Sequence, residues 1–361
     1  MPVSIPISKL YKLHNMIIEK YKNIRLDKYL SRKFPQYSRA FLKSQINAVN
    51  ILVNGEIKKP SYILKENDNL KINIISPQKS LSKPNPDIKL NIVYEDKNII
   101  AIDKPAGISV HPSKAGQNDT ITNALLAYYP AIAKVSDPST DLGQTELRPG
   151  IVHRLDKDTS GLMVIAKNQK SFNWLKEQFV NRKVVKKYLA LASGSIKEKK
   201  GVITKPIGKT KDFRKRTTIT IKDKKEAETQ YMVLKHLIET PSTRFAGARR
   251  ARRASSGNKI LLPEQGRKAA ASKAIQHYTL LEVEPKTGRT HQIRVHLASI
   301  GHPIAGDVLY GFKRQTPLPG LKRQFLHASY LKFSLPNGKI IELKSELPKD
   351  LNAILTELTN N

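Results

Sequence analysis

The chain has 361 residues, with 64 Lys and Arg against 30 Asp and Glu, a formal charge of +34 and no cysteine. Disulfides, thiolate catalysis and cysteine-ligated zinc are thereby excluded, and so large a cationic excess points to a polyanionic partner, most simply nucleic acid. No apolar run approaches the length of a membrane span and the N-terminus has no continuous apolar signal core, which predicts a cytoplasmic protein that makes no membrane contact.

Residues 1–22 read as a weakly patterned lead with no assigned function, in which Met16 is an alternative start. A small module is expected over 23–75. Leu26, Tyr29 and Leu30 recur at helical spacing and Pro35 ends that helix. Ser38 is placed to cap a second helix, with Phe41, Leu42 and Ile46 on its apolar face and Arg39 and Lys43 on its basic face. Residues 51–53 predict a strand, Asn54-Gly55 a tight turn, and 70–74 a further strand. In the stretch Ala48-Val49-Asn50, Asn50 is the residue expected to take a left-handed conformation. Residues 76–89, SPQKSLSKPNPDIK, have the composition of a linker.

A larger domain is expected over 90–361. Strands are predicted at 90–95 and 98–103 around an Asp96-Lys97 turn, then a helix at 120–129. The middle of the chain, from Arg148 to Asn168, reads RPGIVHRLDKDTSGLMVIAKN. Pro149-Gly150 predicts a turn, His153 to Asp158 is a charged excursion, Thr159-Ser160-Gly161 turns the chain again, and 162–166 resumes as a buried strand. A polar excursion between two apolar runs presents side chains at the edge of a rigid scaffold, a common setting for catalytic groups. Further on come a helix at 171–179, a strand at 184–192 carrying Lys187-Tyr188, and strands at 217–221 and 227–236. The run 241–276 is basic and aperiodic; it reads as a disordered loop, either an RNA-gripping arm or a tolerated insertion, and it separates two strands that are otherwise neighbours, the second at 277–283. Thr290 is the expected cap of a helix whose Ile293, Leu297 and Ile300 share one face before Gly301 ends it.

Arg294 lies beside that apolar face, and a guanidinium drawn into an apolar region calls for a carboxylate. Asp156, Asp158 and Asp307 are the candidates. With Asp156 as partner, the cation would keep the acid ionised and able to act as a nucleophile; with another, the pair would only fix the core. His291 and His296 are five apart, on different sides of a helix, unlike a zinc-binding pair, and no glycine-rich phosphate loop is present. Neither a metal nor a cofactor is expected.

Two resemblances organise these readings. Arg25-Leu26-Asp27-Lys28-Tyr29-Leu30, Ser38-Arg39, Val53-Asn54-Gly55 and Lys59-Pro60-Ser61 resemble the small RNA-binding domain named after ribosomal small-subunit protein S-four. That likeness implies RNA contact through Arg25, Lys28, Arg39 and Lys43, where the alternative is a solvated basic face. The segment His153 to Gly161 resembles the signature of the RluA-type pseudouridine synthases. Asp103-Lys104-Pro105-Ala106-Gly107, Lys187-Tyr188-Leu189-Ala190, Gly288 to His296 and Gly306-Asp307 match the same family in order. The resemblance implies an α+β catalytic domain on a mixed, largely antiparallel sheet, behind a small N-terminal α/β RNA-binding module. It also implies isomerisation of uridine to pseudouridine in RNA, in the subgroup that modifies large-subunit ribosomal RNA, by a monomer without nucleotide cofactor. By the same likeness Asp156 is the nucleophile, Tyr188 packs on the base and takes the proton from carbon five, Arg294 pairs with the nucleophile, and Arg154 holds RNA where the uridine leaves the stack. A non-catalytic RNA-binding or ribosome-assembly protein on the same fold is the competing expectation. A glycosidic hydrolase is a weaker one, since no second carboxylate is evident.

Overall fold

The computed structural model describes residues 11–18, 23–34, 37, 39–75, 83–112, 116–135, 149–210, 212, 215–219, 224–239, 275–312 and 318–360. Two main hydrophobic cores, one N-terminal and one much larger, divide them, beside a small third cluster of Ile207, Ala227 and Val295. The N-terminal core is built from β1 (Tyr11–Ile17), α1 (Leu26–Lys33), α2 (Arg39–Asn47), β2 (Ile51–Val53) and β3 (Asn69–Ile75), with β3 central and antiparallel to both other strands. Leu26, Leu30, Leu42 and Ile46 are buried against Ile51, Val53, Leu70 and Ile72, so the helical spacing and the strand alternation meet in one interior. Strand β1 falls within the lead that had been given no role: its seven residues pair along the whole of β3. The weak pattern of YKLHNMI suits an edge strand, which is held by backbone pairing more than by a continuous apolar face. Pro35 and Ser38, the expected stop and cap, lie outside the described residues.

The turn between α2 and β2 differs from expectation. Val49 takes the left-handed conformation, at φ 64°, and Asn50 does not. The helix end fixes which residue must reverse: Val49 N–H donates to Ile46 and Asn50 N–H to Gln45, while the Asn50 amide bonds the Gln45 side chain at 3.1 Å. A β-branched residue in this conformation costs about 1–2 kcal/mol. Val49 is 48% exposed, so little packing opposes its removal. Val49→Gly is therefore expected to stabilise the protein by about 1 kcal/mol, read as a higher denaturant midpoint. A lower midpoint would show the strain to be absent. Asn54 and Gly55, at φ 54° and 79°, form the tight turn as expected.

The larger unit contains β4 (Ile92–Glu95), β5 (Ile99–Lys104), α3 (Ile121–Tyr128), β6 (Ser160–Ala166), α4 (Gln169–Val180), β7 (Val185–Ser193), β8 (Lys200–Ile203), β9 (Gly208–Lys209), β10 (Arg216–Thr217), β11 (Thr229–Glu239), β12 (Gln276–Pro285), α5 (Gln292–Ser299), β13 (Leu326–Ser334), β14 (Ile340–Lys344) and α6 (Lys349–Thr359). Its nine-stranded sheet runs β4-β5-β6-β13-β7-β12-β11-β8, with β14 also on β13. Only β6 and β13 pair in parallel, so the sheet is mixed and largely antiparallel, within an α+β fold. Every residue of β6 is buried, as expected of a strand covered on both faces. It starts at Ser160, two residues before the predicted strand, because Gly161 already runs against β13: a Cβ there would lie 2.3 Å from the Ala328 carbonyl oxygen. Of the strand predicted at 217–221, Arg216–Thr217 is found paired with β9, and 220–221 lie outside the described residues. Strands β11 and β12 pair rung by rung out to Glu239 and Gln276, so the basic run departs and returns at facing residues. Of the run expected at 241–276, residues 241–274 lie outside the described residues, and with them the expectations of disorder and RNA grip, while Gln276 already belongs to β12.

Candidate active site

The loop before β6 is fixed at several points. Gly150, at φ 68°, lets the chain pass where a Cβ would meet the Ala166 carbonyl oxygen at 2.3 Å, and Ile151 then bridges to Ile165. His153 Nε2 accepts from the Val164 amide at 3.0 Å, and its ring stacks on Phe179. Thr159 N–H closes back on the Asp156 carbonyl at 3.2 Å. The carbonyl of Lys157 receives both the Gly107 amide and the Lys104 ammonium, each at 3.0 Å. Lys104 is fully buried and also donates to the carbonyls of Pro105 and Ile108, so its three N–H groups are all used. Burial lowers its pKa to about 8, against the charges of Asp158 and Asp156. From the far end of the chain, Arg323 donates to the Asp158 carbonyl at 3.0 Å and to Ser160 Oγ, while its other edge grips Asp350 at the start of α6. The nucleophile candidate therefore sits on backbone held from three sides.

Arg294, on α5, joins two acids at once. Its Nε and Nη2 form a fork on Asp307 at 2.7 and 2.8 Å, and Nη1 donates to Asp156 Oδ2 at 3.0 Å. Asp307 is the fully buried partner, capped further by the amides of Leu309 and Tyr310. Burial works against the Arg294 charge, but the bonds and charges of Asp307 and Asp156 outweigh it and raise its pKa further. The arginine thus bonds two of the three candidate acids on different edges, Asp307 through Nε and Nη2 and Asp156 through Nη1. Asp158, the third candidate, contributes its backbone carbonyl instead. The helix cap is His291, at φ 55°, rather than Thr290. Gln292 ties the preceding turn by accepting from Thr287 Oγ1 and the Arg289 amide, and His291 turns out toward the site. Tyr310 Oη accepts from the Arg216 amide and bonds His291 Nδ1, both at 2.9 Å. That arrangement leaves His291 Nε2 facing Asp156 Oδ1 at 3.9 Å.

These groups open into a cavity of about 600 Å³, the size range of small-ligand sites. Asp156 is its sole carboxylate among the described lining residues, against Arg154, Arg182, Lys186, Lys286, Arg289 and Arg294. Tyr188 faces it from β7, and burial together with the negative charge of Asp156 pushes its phenol well above the ordinary value. Arg154 is exposed at the rim with Nη1 2.9 Å from His111 Nε2. The sequence-predicted trio is thus assembled: Asp156, Tyr188 and Arg294 all line one cavity, with Arg154 at its edge.

A family model described as RNA pseudouridylate synthase matches residues 98–299. The chain belongs to this family. A relative from Aquifex aeolicus named as an uncharacterized RNA pseudouridine synthase is 40% identical over 290 residues, covering 80% of this chain and 77% of its own. Ribosomal large subunit pseudouridine synthase D of Haemophilus influenzae is 34% identical over 347 residues, covering 92% of this chain and 91% of its own. Among solved structures, human RNA pseudouridylate synthase domain containing 4 has a TM-score of 0.50 at 25% identity, covering 74% of this chain and 93% of its own. The protein is accordingly a pseudouridine synthase acting on RNA. Among the described residues no helix is long and apolar enough to cross a membrane.

This pseudouridine synthase carries an S4 domain at residues 24–70. Three of its four expected RNA-binding cations converge on one acid. Asp27 is fully buried and accepts from Arg25 at 3.1 Å and Arg39 at 2.8 Å, with the Lys43 ammonium at 3.5 Å. The Arg25 and Arg39 bonds lower its pKa although burial, the largest influence, opposes them. Lys28 stands apart, exposed on α1. The three cations are held in place yet leave a net positive face, which suits a phosphate backbone.

Sequence reasoning did not single out Lys186, Arg323 or Tyr310, and it placed Lys104 in a family motif without giving it a role. A lysine among many lysines gives no signal until the fold buries it. His153, by contrast, was visible in the signature and is structural in the synthase. Burial, with the nearby Lys186 charge, lowers its pKa to about 3. Unfolding raises that value toward 6.5, so the unfolded chain binds the extra proton. The neutral-imidazole contribution is complete above about pH 6.5 and is lost as pH falls toward 3, by up to about 1.4 kcal/mol per unit. Denaturant titrations at pH 7 and pH 5 should show a smaller acid loss in His153→Gln than in the native synthase; equal losses would rule the histidine out as the cause.

Proposed function

We propose that this synthase converts uridine to pseudouridine in large-subunit ribosomal RNA through a covalent bond from Asp156 to the target nucleotide, with no cofactor. The observation that carries the reading is the lone carboxylate of a cationic cavity, fixed by a buried arginine beside a tyrosine. The cationic walls draw in the RNA, and an extruded uracil stacks on Tyr188, offsetting the few kcal/mol that unstacking costs. The bond between N1 and the ribose anomeric carbon breaks, and the uracil turns until carbon five faces that carbon. A carbon–carbon bond forms there, the bond to Asp156 breaks and returns its electron pair to the carboxylate, the carbon-five proton leaves, and N1 takes one up. Asp156 is released unchanged, and atoms and electrons balance within substrate and water.

The Tyr188 phenol is held neutral first by burial and then by the Asp156 charge. While Asp156 is an anion it helps keep the phenol neutral, a stacking surface rather than a base. Once Asp156 is esterified the smaller of these two influences is gone, and the phenol oxygen receives the carbon-five proton as its own proton is passed on. The large-subunit assignment rests on relatives with that name aligned over most of this chain, and on the S4 domain. Tritium released from ribosomal RNA labelled at carbon five of uracil tests the chemistry. Pseudouridine maps of ribosomal RNA from cells with and without the protein test the substrate, and identical large-subunit maps would overturn that part.

A further inference from the structure

The buried or half-buried cations of the catalytic unit are matched to partners, with one exception. Lys104 uses three carbonyls, Arg294 two carboxylates, Lys187 the Glu282 carboxylate at 2.9 Å, and Lys286 bonds Glu284. Lys186 is half-buried, lines the cavity, and has neither a hydrogen bond nor an ion pair among the described residues. Its ammonium lies 5.7 Å from the centre of the Phe179 ring. Alternation along β7 puts Lys186 on the face of Tyr188 and sends Lys187 to the other, so the unmatched cation and the reaction-centre tyrosine are neighbours on one strand. Arg182, at φ 56° in the turn from α4 to β7, is exposed on the same cavity wall.

An ammonium withdrawn from water without a counter-charge is unfavourable, and a fold that satisfies its other cations so fully leaves this one for a ligand. Burial already lowers its pKa to about 8, with Glu284 only partly opposing. Every nucleotide of the substrate brings an anion that must go somewhere when the base is extruded. We propose that Lys186, flanked by Arg182, is the subsite that receives the RNA phosphate next to the extruded uridine. The subsite rests on the RNA-modifying reading above and adds to it a residue that places the backbone, so that the base reaches Tyr188 and the ribose reaches Asp156.

The test uses the full-length protein and a uridine-containing fragment of large-subunit ribosomal RNA that it binds, with binding and tritium release measured separately so that the subsite is read even without turnover. Lys186→Met should weaken RNA binding and kcat/KM by about 10- to 100-fold and reduce the slope of log affinity against log salt by about 0.7 to 0.9. Lys186→Arg should restore most of both. A neutral methylphosphonate at the one linkage beside the target should bring native protein down to the level of Lys186→Met and leave the variant unchanged. Unaltered binding and salt slope in a folded Lys186→Met protein would overturn the subsite. So would a loss that Arg does not rescue, or one that no single neutral linkage reproduces, since those belong to a proton-transfer or purely structural lysine. Absence of tritium release by the native protein, with the binding results as expected, would instead remove the catalytic reading and keep the anion site.

Discussion

Replacing Asp156 with asparagine is expected to lower tritium release by at least about a thousandfold, about 4 kcal/mol of barrier, while leaving RNA affinity and stability near native. The expectation comes from how the acid is held. Asp156 receives one bond from Arg294, and that guanidinium keeps its fork on Asp307 when the Asp156 charge is removed. The loop backbone depends on Lys104, Gly107 and Arg323, not on the carboxylate. A side chain amide preserves size and one hydrogen-bonding oxygen but cannot form the covalent bond. Single-turnover tritium release with native and Asp156→Asn protein decides it. Loss of folding together with activity would mean that the acid is structural, and release within tenfold of native would remove it as nucleophile.

Replacing Arg294 with methionine is expected to destabilise the protein by about 3 to 5 kcal/mol, because Asp307 would be left buried and charged without its partner. Activity should fall as well, since Asp156 loses its anchor. The double variant Arg294→Met with Asp307→Asn separates these effects. Removing the stranded charge should recover part of the stability, and activity should stay lost. Denaturant midpoints and tritium release on the same preparations provide the comparison. A single variant as stable as native would show that the fork contributes little to the fold, and recovery of activity in the double variant would remove the positioning role.

The Asp156 and Arg294 pairing was legible as one of three alternatives because the cost of a buried guanidinium demands an acid but does not name it. Arginine presents several donors, and the structure uses them on two acids at once. Periodicity located α1, α4 and β7 to within a few residues, since each buries an apolar face whose spacing the sequence displays. It failed where a choice is settled by backbone pairing that apolar spacing does not display. Val49 reverses the chain because α2 ends where it does, and β1 becomes a strand because β3 has a free edge to pair with. Lys186 and Lys187 are adjacent and chemically identical in the sequence. Only the face of Tyr188 tells which one enters the cavity.

Strand β13 has a consequence for the birth of the protein. It lies between β6 and β7, in the middle of the sheet, yet it comes from residues 326–334, near the end of the chain. During synthesis β6 and β7 emerge first and face each other across an unfilled slot. Their inner edges offer unpaired backbone groups until residues 326–334 have been made. Arg323, which donates to the Asp158 carbonyl in the loop that carries Asp156, arrives with the same late segment. The S4 domain is complete more than two hundred residues earlier in the chain. A nascent molecule therefore has its S4 domain in place long before the strand that joins β6 to β7 exists.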